Sequence, residues 1–140
     1  MEKKFKFIVE DFVNEKKYLT RAYTLEEILD KREFQILSEL HESGAPAETA
    51  IVITGKVESI GILDKNDKEI FEGDYDKNRN RYVKFNKLYC CFGLWLPTGY
   101  YDKHIIADTE NTATDNSIIY SSSQFEITTN IYESPELLDV

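Results

Sequence analysis

Two acids and a short run of bases are the residues whose types and spacing could do chemistry. Asp74 and Asp76, beside Glu72, can form a carboxylate pair for general acid and base work, or hold a divalent ion. The plainer reading is a charged hairpin end in solvent, with Asp74 accepting backbone N–H groups in a tight turn after Gly73. Asp64, Asn66 and Glu69 begin like a calcium loop, but Lys68, Glu69 and Tyr75 stand where that loop needs an acid or amide, a glycine and a glutamate. The two histidines, His41 and His104, lie far apart with no H-E-x-x-H or C-x-x-C. They read as structural or surface residues. Cys91 and His104 would make a nucleophile and base only if the fold joined them, and a cysteine in an apolar strand is more often a small buried hydrophobe. No Gly-rich phosphate loop occurs, so neither catalytic nor metal residues are assigned and no cofactor is expected.

The second feature is a basic and aromatic cluster: Lys77, Arg79, Arg81, Lys84 and Lys87, interleaved with Tyr82 and Phe85. Such a surface can stack bases and contact phosphates. The candidate interaction surface is Arg79, Arg81, Tyr82, Lys84 and Lys87. Whole-chain charge opposes a nucleic acid, because the net charge is −9 and Lys103 is the only base beyond residue 98, against Asp102, Asp108, Glu110, Asp115, Glu126, Glu133, Glu136 and Asp139. That acidic third repels phosphate backbones.

The elements that must position these residues are mainly strands. The 140 residues, 41% apolar and 13% aromatic, suffice for a packed core. Lys3 to Val9 alternates with Phe5, Phe7 and Val9 on one face, and a hairpin turn near Asn14 to Lys17 leads to a strand over Tyr18 to Ala22. Thr24-Leu25-Glu26-Glu27 is a capping box that starts a helix over about 25–43, its apolar face Leu25, Ile28, Leu29, Ile36, Leu37 and Leu40, either in two parts or kinked near Asp30 to Arg32, with Gly44 as terminator. SGAPAE, Ser43 to Glu48, separates an N-terminal α+β region (1–48) from a strand-rich region (49–140).

In the second region, Ala50 to Leu63 reads as one long bent strand or as two strands with a bend at Gly55, and Glu69 to Phe71 follows a turn through Asn66-Asp67. Arg81 to Asn86 pairs with Leu88 to Leu96, the latter apolar enough to be buried on both faces. A short strand over His104 to Ala107, a loop over Asp108 to Ser117 and strands over Ile118 to Tyr120 and Gln124 to Tyr132 complete a small barrel or sandwich. Ser134-Pro135 starts one turn of helix. No run is long and apolar enough to span a membrane, and the N-terminus is too charged for a secretory signal. Without a disulfide framework, since the only cysteines are the adjacent Cys90 and Cys91, a cytoplasmic location is expected.

Two segments, DKNDKEIFEGD (64–74) and NIYESPELL (130–138), resemble the YopX family of bacteriophage and prophage proteins, whose usual wording is D-K-N-G-K-E-I-Y-E-G-D and G-N-I-Y-E-N-P-E-L-L. Asp67 replaces the glycine of the first and Thr129 that of the second. The resemblance implies an SH3-like β-barrel in the C-terminal two-thirds with an N-terminal extension, and a phage origin. It implies no activity. The expectation is a non-enzymatic accessory protein that binds a protein partner, a second copy included. Ala50 to Ile62 is the strand open to pairing with another chain. Nucleic-acid binding through residues 77–87, DNA mimicry by the acidic third and hydrolysis by Asp74 and Asp76 follow in that order.

Overall fold

The computed structural model describes residues 2–108 and 119–138. It is mainly β, with a curled half-barrel sheet, and divides into two compact units, Glu2–Glu58 and Ser59–Val140. The acidic loop expected at Asp108 to Ser117 lies, beyond Asp108, outside the described residues.

The first unit is organised on β1 (Lys4–Asp11), whose alternation buries Phe5, Val9 and Asp11. A turn returns the chain as β2 (Lys16–Leu19), antiparallel with Ile8 opposite Leu19. Asp11 holds that turn, its Oδ1 accepting the N–H of Val13 at 3.0 Å and of Asn14 at 3.1 Å. The short β3 (Tyr23–Thr24) pairs Tyr23 with Phe5. The capping box then forms as the sequence requires: Thr24 Oγ1 accepts the Glu27 N–H and Glu27 Oε1 accepts the Thr24 N–H, each at 3.2 Å.

The helix comes as two, α1 (Leu25–Asp30) and α2 (Glu33–Glu42), broken where Lys31 and Arg32 turn to extended backbone. Ile36 and Leu37 of α2 are buried. The apolar face does not run back through the break: Leu25 and Leu29 are exposed, and no residue of α1 is buried. The break ends the 3.6-residue phase, so the two apolar stripes are independent. Val9, Leu37, Ala45 and Ile51 form this unit's core.

The long β4 (Val52–Leu63) begins in the first unit, antiparallel to β1, with a register shift where Ile8 faces Gly55 and Val9 faces Ile53. The expected bend at Gly55 is thus a bulge at Thr54. In the second unit the end of β4 pairs with β5 (Glu69–Phe71).

The six-stranded sheet of the second unit runs β10-β9-β8-β7-β6-β11. Its members are β6 (Asp74–Asp76), β7 (Arg81–Asn86), β8 (Cys91–Trp95), β9 (Tyr101–Ala107), β10 (Ile119–Ser121) and β11 (Thr129–Asn130). All neighbours are antiparallel except β9 and β10. Ile70, Val83, Leu94, Ile106 and Phe125 are its core, each at most 5% exposed.

Two strands are shorter than their sequences suggest. Leu88 to Cys90 belong to a turn, with Leu88 and Tyr89 exposed and Cys90 at φ 53°, so the apolar run is not buried on both faces. Asn86 takes the turn: its Oδ1 accepts the Leu88 N–H at 2.9 Å. In the segment expected as one strand over Gln124 to Tyr132, only Thr129–Asn130 joins the sheet. The N–H groups of Glu126 and Ile127 go to carboxylates instead of a ladder.

Candidate functional site

Those carboxylates are the first candidates. Asp64 is 3% exposed; its Oδ1 accepts the N–H of Asn66 at 2.8 Å and of Lys68 at 2.9 Å, and its Oδ2 that of Ile127 at 3.0 Å. Asp76, 1% exposed, accepts Asn78 N–H at 2.9 Å through Oδ1 and Glu126 N–H at 2.9 Å through Oδ2. Asp74 Oδ2 accepts the Phe71 N–H at 2.8 Å across the Gly73 turn.

The acids of this hairpin are therefore buried rather than solvated, and they bind backbone. Buried amide donors need partners, and a carboxylate satisfies two or three at once. Among the described residues no group of three or more His, Cys, Asp or Glu side chains is arranged to hold a metal ion. His104 Nδ1 lies 3.2 Å from Asp102 Oδ1, while Cys91 opens β8 beside Tyr101. His41 Nδ1 lies 2.8 Å from the Ala45 carbonyl at the end of α2.

The basic cluster is divided by the same sheet. Arg81 Nε donates to Asp102 Oδ2 at 2.9 Å, and its Nη1 donates to the carbonyls of Asn80 and Arg79. Tyr82 is buried, and burial raises its hydroxyl pKa. Arg79 is exposed, its guanidinium 5.7 Å from the Tyr120 ring centroid. Lys84 and Lys87 are exposed, and Lys84 Nζ stands 5.0 Å from the Trp95 ring centroid. The five residues do not make one surface.

What the register does assemble is a row of aromatics. Tyr75 faces Tyr82, Tyr82 faces Trp95 and Trp95 faces Tyr101, so one face of β6, β7, β8 and β9 carries four rings side by side. Tyr75 and Tyr82 are covered. The other end is open: Trp95 and Tyr101 are half-buried with centroids 5.6 Å apart, and the exposed Tyr89 stands 5.8 Å from Tyr101. Gly93 leaves room for Tyr101, because a Cβ there would come within 2.5 Å of Tyr101 Cε1 and 2.8 Å of the His104 carbonyl oxygen. Burial, then the neighbouring Cys91 thiol, raises the Tyr101 pKa. Tyr89, Tyr101, Lys103 and Ile105 line an open groove of about 280 Å³.

The covered end meets the C-terminal segment. Ile131 N–H donates to the Gly73 carbonyl at 2.9 Å, and the Tyr132 ring lies on the Gly73 α-carbon. Asn130 Oδ1 accepts the N–H groups of Tyr132 and Glu133 at 3.0 and 2.8 Å, shaping the turn before Pro135. Burial, then Glu72 and Asp74, pushes the Tyr132 hydroxyl up to about 12. The DKNDKEIFEGD and NIYESPELL segments are thus one structural unit.

The YopX protein family model matches residues 3–139. The chain belongs to the YopX family. No curated protein matches the sequence. The match takes in the N-terminal unit as well as the two YopX motif segments. In this YopX chain no helix among the described residues is long and apolar enough to cross a membrane. Tyr89, Trp95, Tyr101 and Lys103 were not singled out by sequence, because the signal is cross-strand. The one local trace is Gly93 between Cys91 and Trp95, a glycine inside a strand where another side chain comes close.

Proposed function

We propose that this YopX protein is a non-enzymatic bacteriophage or prophage accessory protein of the host cytoplasm, an SH3-like small barrel that works by binding a protein partner. The observation that carries the reading is the aromatic row left open at Trp95, Tyr101 and Tyr89. Half-buried Trp95 and Tyr101 in the sheet, with exposed Tyr89 in the turn beside them, are of the side-chain types that dominate binding energy at protein interfaces. Capture from lysogenic host lysate, wild type against Tyr89→Glu, tests it with the particle size measured in parallel. A partner lost with the variant supports the reading. Equal capture by both, or a wild type that captures nothing and stays monomeric, defeats it.

A non-enzymatic role agrees with the state of the acids, since Asp64, Asp74 and Asp76 direct carboxylate oxygens to backbone N–H groups. Nucleic-acid binding through residues 77–87 is the weaker alternative. Arg81 is held by Asp102 and two carbonyls, and Tyr82 is buried, which takes one cation and one ring of that cluster out of a phosphate track.

A further inference from the structure

The chemistry of the partner follows from the groove, given the protein-binding reading above. Among the described residues its lining is the rings of Tyr89 and Tyr101 with Ile105 and Lys103, and its volume of about 280 Å³ suits one or two side chains. On this face β7 presents Tyr82, Lys84 and Asn86, β8 presents Cys91, Gly93 and Trp95, and β9 presents Tyr101, Lys103 and Ile105. Every formal charge among those side chains is positive. Lys87 adds a third cation from the turn that carries Tyr89.

Asp102, the nearest acid in sequence, is bonded to Arg81 and is only 10% exposed in its side chain. On a protein of net charge −9, a groove lined by Lys103, with Lys84 on the same sheet face and Lys87 in the Tyr89 turn, is locally basic among the described residues. Three lysines can meet two or three carboxylates. They are too few to offset the repulsion a polyphosphate backbone would meet from the rest of the molecule.

We propose that the groove at Tyr89, Tyr101, Lys103 and Ile105 docks a short acidic segment of the partner protein. An apolar side chain enters between the rings, and flanking carboxylates meet Lys84, Lys87 and Lys103. The rings supply contact area and exclude water; the lysines select for negative charge and speed encounter.

Trp95 makes this measurable, because it is the only tryptophan and it touches both Tyr101 and the Lys84 ammonium. The full chain is titrated with a short blocked peptide alternating Glu with Leu and Phe, with the same peptide carrying Lys for Glu, and with a short oligothymidine. A saturable change in Trp95 emission with the acidic peptide alone is expected, weakened about tenfold or more by Lys84→Glu with Lys103→Glu, and by Tyr89→Ala. Circular dichroism confirms that each variant is folded.

No saturable change with the acidic peptide, or the same affinity in the charge-reversed variant, overturns the proposal. Tighter binding of oligothymidine than of peptide overturns it in favour of a nucleic acid. If the peptide fails while capture from lysate still depends on Tyr89, the protein-binding reading stands and only the acidic docking chemistry falls. If both fail, both fall.

Discussion

Tyr132 packs its ring edge on the α-carbon of Gly73, filling the space that any other residue's Cβ would occupy. Gly73 also has φ 94°, so two independent constraints meet at one position. Gly73→Ala should cost about 3 kcal/mol or more through steric overlap and backbone strain. Tyr132→Ala alone should cost about 2 to 3 kcal/mol. In urea unfolding the double variant should be at least about 1 kcal/mol more stable than the sum predicts, because removing the ring removes the overlap. Strict additivity would show that the ring and the glycine do not constrain each other.

Asp64 and Asp76 should behave as stability residues of unusual weight. Asp64→Ala leaves three backbone donors without their acceptor, and Asp76→Ala also deprives Glu126 N–H. Each should cost about 3 kcal/mol or more, whereas Lys65→Ala, which ends one exposed ion pair with Glu126, should change stability by under about 1 kcal/mol. Equal, small effects from all three would contradict the assignment.

Asp67 stands at φ 59° in the turn that Asp64 closes. Asp67→Gly should therefore stabilise, by about 0.5 to 1 kcal/mol, since relief of the left-handed backbone exceeds the added flexibility of the unfolded chain. A lower thermal midpoint would show that the aspartate contributes more than its backbone strain costs.

The first unit should respond to acid through Glu39. Lys31 Nζ donates to Glu39 Oε1 at 2.7 Å and Tyr23 Oη to Glu39 Oε2 at 2.6 Å, and these hold its pKa down to about 2 from 4.5. Because the folded pKa is depressed, the contribution is fully present above about 4.5 and fades as pH falls toward 2. Glu39→Gln should be less stable than wild type at neutral pH, and the gap should close between pH 4.5 and 2 in circular-dichroism unfolding. A gap that does not vary with pH would rule out the ionised carboxylate as its source.

Local signals carried well from sequence to structure. The Thr24 to Glu27 box, the Asn66-Asp67 turn and the Arg81 to Asn86 strand depend on neighbours a few residues away, and each formed where its residues called for it. The failures share a cause. Gln124 to Thr128 has strand composition, yet Asp64 and Asp76, 63 and 50 residues away from their partners, take its N–H groups. The aromatic row depends on three strand registers that no window of sequence contains. Charge misled in the same way: Asp74 and Asp76, which look solvated in EGDYD, are buried, and the distant Glu126 N–H meets Asp76.

The bonds from Asp64 to Ile127 and from Asp76 to Glu126 also set an order of events. Until residues 125–128 have left the ribosome, both carboxylates lack a backbone partner that their buried positions require. A nascent sheet with those two side chains still hydrated at its unfinished corner should resist premature collapse and sticking of its strands to other chains. Closure of the corner then waits on long-range loop formation, so the second unit should be the slower of the two to fold.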